Sequence, residues 1–403
     1  MILLLLLLTA AYLGRFGIED LSEALTFMGR IAGAGLVVAS VTAVLGGAGV
    51  MDHWFWKSFP YSGLVALAGT VMALLTNSML LLEVLTGDSS YYKALSGLLT
   101  AGSAWAVFAV WRTSVEIPAP KRVATAFIAS SVFAIANFGY QNLYQPYQHG
   151  ARPVIKLVMR DPELSTDRKS FALPVDITLE NHSDVGFYIM GAEFHAMGQR
   201  VPVSTYDRLR QQWRDDVEQW TKSQEKSPLS RREVHQPGEL VAAQPWMTPG
   251  HWIEASDSFA IRTVVQLPID TPYDQVAFYA TASFARKDRL GLDSVKFTKY
   301  SWSGGEVPKW MKRNQKDFDS LIYRGRVHEN NSINERTMEP RFVDVYWNFG
   351  TKGASVSASI TRKGEEDRVP SDAKSREVRD RYGLVDVVTG PIQQSLWDIK
   401  SRR

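Results

Sequence analysis

The stretch IAGAGLVVASVTAVLGGAGVM, residues Ile31–Met51, contains 21 positions and no charged side chain. An α-helix rises ~1.5 Å per residue and the hydrocarbon core of a bilayer is ~30 Å thick, so about 20 apolar residues cross it. A segment inside lipid must also satisfy its own backbone hydrogen bonds, which favours a helix. This stretch therefore predicts a membrane-spanning helix.

Three more stretches in the first third of the chain repeat this pattern. They are Tyr61–Leu85 with the single charge of Glu83, Tyr91–Trp111 with the single charge of Lys93, and Val123–Tyr144 with none. Residues 1–150 hold seven basic and seven acidic residues, out of 45 and 42 in the 403-residue chain. A charge-poor third joined to a charge-rich remainder excludes a single soluble globule.

The leucine-rich run Met1–Gly14 is shorter, and as a helix it would cover only about 21 Å. No basic residue precedes it and no small-residue cleavage site follows it, unlike a signal peptide. We therefore expect an uncleaved first helix. The predicted transmembrane domain spans residues 1–148 and has four or five helices, near 1–14, 31–51, 61–85, 91–111 and 123–144.

Polar side chains within these runs are candidates for transport chemistry, namely Asn77, Glu83 and Asn137. An intramembrane carboxylate is by default a functional hypothesis. Glu83, however, lies near the end of its run and can reach the interface, which favours a structural role. The runs also lack the proline-broken helices and paired repeats that are typical of many transporters.

From Arg152 the pattern changes to short alternating segments, which predict a β-rich soluble domain over residues 152–403, with a subdivision near 287–293. Two of these segments, Arg341–Phe349 and Ala354–Arg362, flank Gly-Thr-Lys-Gly and predict a hairpin. The fold class we expect is a multi-pass α-helical membrane bundle followed by a mainly-β domain, an immunoglobulin-like sandwich or a barrel with an inserted helix. The first strand–turn–strand unit resembles those of immunoglobulin-like sandwiches, although the chain has no cysteine and so lacks the disulfide of antibody domains.

Four tryptophans of the polar part are candidate partner-binding residues. Trp213 and Trp220 lie on one face of a predicted helix, Thr205–Ser223. Trp246 and Trp252 lie in Ala243–Trp252, a segment with two prolines that we interpret as a stiffened aromatic loop. Packing against the β core is the alternative for both pairs. A further polar segment, Glu329–Pro340, is interpreted as an exposed loop.

No motif for catalysis or metal binding stands out. The seven histidines form no metal-spaced motif, and neither a Walker loop nor a nucleophile elbow occurs. Glu193 and His195 would share one face of a strand, where a metal site is conceivable and an exposed polar pair is favoured. We therefore expect no enzyme activity, no cofactor and no metal. The near-balanced charge also argues against nucleic-acid binding.

The loop Arg112–Arg122 is basic, so the positive-inside rule favours a cytoplasmic position for it and an extracytoplasmic β domain. The function we expect is binding, adhesion or envelope-complex assembly at the plasma membrane of a bacterium. The expected partners are the lipid bilayer, other membrane or envelope proteins and a carbohydrate surface. The alternatives are a transporter or channel subunit with a regulatory β domain, and a membrane-tethered cytoplasmic sensor or effector.

Overall fold

In the computed structural model, the described residues are 1–113, 152–200, 210, 214, 238–297, 319–350, 353–365 and 371–401. Within them, four helices are long and apolar enough to cross a membrane, α1 (Ile2–Glu23), α2 (Phe27–Met51), α3 (Ser62–Leu85) and α4 (Ser90–Trp111). The predicted bundle of apolar helices is thus confirmed. The apolar run Val123–Tyr144 and the polar residue Asn137 lie outside the described residues.

Helix α1 extends nine residues beyond the apolar run Met1–Gly14, through Arg15 and on to Glu23. Amphipathic and polar residues continue the helix because one face still packs on neighbouring helices, where Phe16 and Asp20 are buried. A single π-helical turn, Asp52–Trp56, prolongs α2. Glycines bring α2 and α3 into backbone contact, because a Cβ on Gly69 would lie 2.5 Å from the Cα of Gly46.

The bundle has two distinct ends. At the first, which we call the aromatic end, the exposed side chains of the α2–α3 connection include Trp54, Phe55 and Trp56. His53 Nε2 lies 3.1 Å from Thr113 Oγ1, so the end of α4 is at this end too. At the opposite end, which we call the docking end, α1 and α3 finish and α2 and α4 begin.

The described strands of the polar part form three antiparallel sheets. Sheet A pairs β3 (Ser170–Glu180) with β1 (Val154–Met159) and β2 (Glu163–Leu164) on one side and β7 (Ser258–Pro268) on the other. Sheet B has the order β14 (Val385–Ser395), β8 (Gln275–Arg286), β4 (Phe187–Gln199), β5 (Glu239–Met247), and β6 (Trp252–Ile253) also pairs with β4.

Sheet C has the order β10 (Lys296–Phe297), β11 (Asp319–Glu329), β12 (Arg341–Gly350), β13 (Gly353–Arg362), and β9 (Leu290–Leu292) pairs with β11. The predicted hairpin is confirmed, with Gly350 paired to Gly353. Three short helices are fully described in this domain, α5 (Ser332–Thr337), α6 (Asp372–Tyr382) and α7 (Trp397–Lys400).

Sheet B is the central layer of this domain. One apolar core joins it to sheet A, through residues such as Ile177 and Phe278. A second core joins it to sheet C and α6, through residues such as Met190 and Trp347. Strands β4 and β8 are therefore buried on both faces, which is unusual for antiparallel strands and explains their nearly continuous small and apolar side chains.

Two segments differ from their sequence interpretation. Glu329–Pro340, expected to be an exposed loop, contains helix α5. Ala243–Trp252, expected to be a stiffened loop, runs through strand β5, a tight turn and strand β6. Proline at position 245 is tolerated because β5 lies at the edge of sheet B beyond β4. The Thr205–Ser223 helix lies outside the described residues except for Arg210 and Arg214, which are helical.

Candidate functional site: the junction of the β domain and the helix bundle

The β domain contacts the docking end of the bundle through α5 and the residues that flank it, a contact that we call the junction. Helix α5 begins at an asparagine cap, since Asn331 Oδ1 accepts a hydrogen bond from the backbone N–H of Asn334 at 2.8 Å. A helix of six residues is far too short to be stable alone. Its stability must therefore come from tertiary contacts, with the bundle and, through Glu335, with Arg326 and His328 of β11.

The apolar part of the junction is the side chain of Ile333, which is only 2% exposed. It packs into a cluster formed by α1, α2 and α3, with Leu13, Phe16, Ala39, Leu80 and Val84. Burying one isoleucine side chain contributes about 1.5–3 kcal/mol. This residue is the one apolar side chain in the stretch ENNSINERT, so the rest of the junction is polar.

Carboxylates at the ends of α1 and α3 accept hydrogen bonds from the start of α5. Glu83 Oε1 accepts from Asn331 Nδ2 at 2.8 Å and from Asn334 Nδ2 at 3.3 Å. Asp20, itself 6% exposed, accepts from the backbone N–H of Ser332 at 2.7 Å. Acidic groups at a helix N-terminus also interact favourably with the helix dipole. Glu83 is thus bonded to the β domain at the end of its helix.

The C-terminus of α5 is satisfied by the turn between α3 and α4. The carbonyl of Thr337 accepts from the backbone N–H groups of both Asp88 and Ser89 at 2.9 Å. A Cβ on Gly87 would lie 2.9–3.1 Å from atoms of Thr337, so this position requires glycine. Both ends of the short helix are therefore completed by groups of the bundle.

Two ion pairs surround this contact. Arg336 forms a bidentate pair with Glu19 of α1, at 2.6 and 3.0 Å. Arg362 of β13 pairs with Asp88 at 2.6 Å. The side chains of both pairs remain 20–34% exposed, so each pair contributes little beyond orientation. Orientation is what a bidentate arginine supplies best.

Asn77 lies inside the bundle rather than at the junction, and it is 1% exposed. Its Nδ2 donates to Thr9 Oγ1 of α1 at 3.2 Å and to Ser103 Oγ of α4 at 3.0 Å. The side chain thus connects three helices through hydrogen bonds, a common use of asparagine between membrane helices.

The four candidate tryptophans have different environments. Trp246 is 3% exposed, and its Nε1 donates to the backbone carbonyl of Glu193 within the core. Trp252 is 57% exposed on β6, with Lys287 Nζ 4.9 Å from its ring centroid. Lys287 also pairs with Glu254 at 2.6 Å. Trp213 and Trp220 lie outside the described residues.

Sequence reasoning did not identify the junction. The Asn-Ser-Ile-Asn-Glu stretch contains a helix-capping asparagine, and that is the one local signal for α5. Nothing local in the sequence connects Ile333 or Arg336 to residues about 250–320 positions earlier. Within the described part of the chain, no group of three or more His, Cys, Asp or Glu side chains could hold a metal ion.

No protein-family model matches the sequence, and no curated protein sequence matches it either. Among the solved structures that are similar in part are two bacterial proteins. Spo0M, a sporulation control protein from Bacillus subtilis, is 10% identical, with 63% of this chain and 95% of that chain covered at a TM-score of 0.20. A Bordetella pertussis protein provisionally named ApaA is 6% identical over 34% of this chain and 80% of its own, at a TM-score of 0.19. Neither score establishes a shared fold.

Proposed function

We propose that this chain is a multi-pass plasma-membrane protein that presents its β domain outside the cytoplasm for binding, adhesion or assembly of a bacterial envelope complex. The observation that carries the proposal is the junction. Helix α5 inserts one buried isoleucine and several hydrogen-bonding groups into the docking end of the bundle. The bundle then serves as a rigid base that holds the three-layer domain at a fixed height and angle above the membrane.

The distribution of basic residues supports the orientation. Lys57 and Arg112 belong to the aromatic end, and Lys121 and Arg122 follow Arg112 closely in sequence. Basic residues next to membrane spans favour the cytoplasmic side. The β domain contacts the opposite end, towards which three basic residues of the bundle lie, Arg15, Arg30 and Lys93, against the four above.

The lack of cysteine allows a direct test of this orientation, because one introduced thiol is the only label site in the chain. Val388→Cys is placed on the exposed outer edge of sheet B, and Phe55→Cys at the aromatic end, both highly exposed side chains. A membrane-impermeant maleimide applied to intact cells, with outer layers permeabilised, should label the first variant and not the second. Labelling of Phe55→Cys alone would place the β domain in the cytoplasm and favour the sensor alternative.

Trp252 is the exposed contact residue that we assign to this function. A flat indole ring that is fixed by a cross-strand pairing with Tyr188 and by Lys287 offers contact area at little entropic cost. Envelope proteins and envelope polysaccharide are the ligand classes to test. The assay is recovery of partners that are chemically cross-linked to the full chain. Trp252→Ala should abolish this recovery, whereas Trp397→Ala, which changes another exposed tryptophan of the same domain, should leave it intact. Equal recovery with both variants would remove Trp252 from the proposal.

The second candidate function is a transporter or channel subunit whose β domain regulates the bundle. It is supported by the hydrogen bonds from Asn331 and Asn334 to Glu83, because they connect the β domain to a carboxylate at the end of a predicted span. Glu83→Gln should change solute flux in proteoliposomes if this candidate is correct. Unchanged flux in the Glu83→Gln and Asn77→Ala variants would exclude both polar groups from a transport path.

A further inference from the structure

The aromatic end of the bundle carries a surface that the proposed function does not use. Helix α2 continues directly into the π-helical turn Asp52–Trp56, and the two form one candidate span of 30 residues. At ~1.5 Å per residue this span is about 45 Å long, whereas the hydrocarbon core of a bilayer is ~30 Å thick. Centred on the bilayer, the span extends about 7 Å beyond the core on each side, which is the depth of one headgroup layer. A span of this length therefore brings the turn to the level of the headgroups.

Exposed aromatic rings cover this turn and the connection that follows it. The turn contributes three successive side chains and the connection two more, namely Trp54, Phe55, Trp56, Phe59 and Tyr61. The end of α4 adds Trp111, because the contact between His53 and Thr113 holds the two helix ends together. Phe55 and Trp56 are 72% and 66% exposed, so most of each ring is free for another contact. Tryptophan and tyrosine rings are enriched at membrane–water interfaces, where one part of the ring contacts acyl chains and the other contacts headgroups.

The carboxylate of Asp52 fixes the shape of this surface. Its Oδ1 accepts a hydrogen bond from the backbone N–H of Ser58 at 3.1 Å, and its Oδ2 accepts one from the backbone N–H of Phe59 at 2.9 Å. Lys57 has a φ of +53°, so the chain leaves the turn in the left-handed conformation. Single π-helical turns of this kind are frequent at functional sites. The rings are thus held in one arrangement before they meet a partner, which lowers the entropic cost of binding.

Two cations, Lys57 and Arg112, border the rings. Both side chains are exposed, and within the described part of the chain no carboxylate forms an ion pair with either of them. The guanidinium carbon of Arg112 lies 4.8 Å from the ring centroid of Phe108. Asp52 is the single carboxylate of the α2–α3 connection, and both of its oxygens already accept backbone hydrogen bonds. Positive charge therefore remains available beside the rings, and a negatively charged lipid surface attracts such charge.

We propose that the aromatic end binds anionic phospholipids, with the rings of the turn among the headgroups and with Lys57 and Arg112 at the lipid phosphates. The occupant is lipid because the surface continues the apolar sides of α2 and α4, which are candidate membrane spans. Ammonium and guanidinium groups donate charge-assisted hydrogen bonds to phosphate oxygens. This surface requires the membrane location of the proposed function, and it is independent of the orientation and the partners of the β domain.

The test uses the full chain in nanodiscs that mix phosphatidylglycerol with phosphatidylcholine. A nitrobenzoxadiazole fluorophore on Phe55→Cys, the only thiol of that variant, is quenched by a nitroxide near the top of an acyl chain. The nitroxide is carried by phosphatidylglycerol in one sample and by phosphatidylcholine in the other. Quenching should be stronger with phosphatidylglycerol, and the ratio of the two local association constants should fall by up to about fivefold with Lys57→Gln and with Arg112→Gln. Added salt should lower the ratio too, because it screens exposed charges.

Lys169→Gln is the matched control, because Lys169 is an exposed cation in the turn between β2 and β3. This variant should leave the ratio unchanged, and Lys57→Arg should keep it as well because it retains the charge. A fluorophore on Val388→Cys, an exposed side chain of the β domain, should escape quenching by either lipid.

Quenching at Phe55→Cys that is no stronger than at Val388→Cys would overturn the headgroup position of the turn. Equal quenching by the two lipids, or an unchanged ratio with both Lys57→Gln and Arg112→Gln, would overturn the binding of anionic phospholipid. Each of these results would leave the envelope function proposed above unaffected. A chain that is absent from the nanodisc fraction would contradict that function as well.

Discussion

Replacing Ile333 with alanine should release the β domain from the bundle without unfolding either part. Ile333 is 2% exposed and is the one apolar side chain that α5 contributes to the junction cluster. The lost burial is worth at most about 1.5–3 kcal/mol, the value for full burial of an isoleucine side chain. At 1.4 kcal/mol per tenfold change, the ratio of docked to undocked molecules should fall by at most about 10- to 140-fold.

Ile333→Asp should have a larger effect, because it also places a carboxylate among apolar side chains and close to Glu83 and Asp20. The ion pairs cannot compensate, since exposed pairs contribute only about 0–1 kcal/mol each. The two parts should keep their own cores, because neither the apolar clusters of the β domain nor the larger bundle cluster around Leu6 and Ala66 includes Ile333.

The assay is the distance between two spin labels, measured by pulsed electron resonance on the chain in nanodiscs. Labels on Phe55→Cys and Val388→Cys lie on the bundle and on the β domain, and no native thiol competes with them. The distance distribution should be narrow in the parent chain and broad with Ile333→Asp. Val264→Asp, an equivalent charge on the exposed face of sheet A, should leave it narrow. A narrow distribution with Ile333→Asp would refute α5 as the element that fixes the domain.

Four smaller effects follow from other contacts. Gly87→Val should broaden the same distance distribution, because its side chain would collide with Thr337, whose backbone the turn binds. Arg336→Met should change the free energy of docking by no more than about 1 kcal/mol, because the pair with Glu19 is partly exposed. The distance distribution between the two spin labels should therefore change only slightly. Asn77→Leu should lower bundle stability by about 0.5–1.7 kcal/mol in detergent unfolding, the range found for hydrogen bonds between membrane helices. Hydrogen bonds from Arg262 and Arg160 lower the pKa of Asp176 to about 2 in the folded protein, against about 3.9 in the unfolded chain. The ionised carboxylate therefore stabilises the fold fully above pH 4, and this stabilisation is lost as the pH falls towards 2. Asp176→Asn should therefore flatten the decline of the unfolding temperature between these pH values, and an unchanged decline would contradict this assignment.

The local sequence pattern alone could predict those elements whose structure depends on a single environment, either lipid or water. Ile31–Met51 and Tyr61–Leu85 became α2 and α3 with ends within a few residues of the apolar runs. The hairpin Arg341–Phe349 and Ala354–Arg362 was also readable, since its turn residues and flanking segments are contiguous. In each case the determinants lie within about 25 neighbouring positions.

The burial of Glu193 and His195 could not be predicted in the same way. Glu193 and His195 alternate with apolar residues along β4, which fits an antiparallel strand with one solvent-exposed face, the usual situation. Sheet C, built from residues more than 90 positions later, covers that face. The alternation of polar and apolar residues along a strand shows which side chains can face water. It does not show whether another sheet packs over that face and excludes the water.

By itself, therefore, the sequence determined the division into a bundle of apolar helices and a β-rich domain, because lipid requires each spanning segment to satisfy its own hydrogen bonds. Only the tertiary structure decided how the two are joined. The polar stretch ENNSINERT carries only the Asn331 cap as a local helix signal, and its helix is completed when Asp20, Glu83 and the Gly87–Ser89 turn bind its two ends and the bundle buries Ile333. Those groups are brought together by packing across more than 240 residues, and no local propensity encodes that distance.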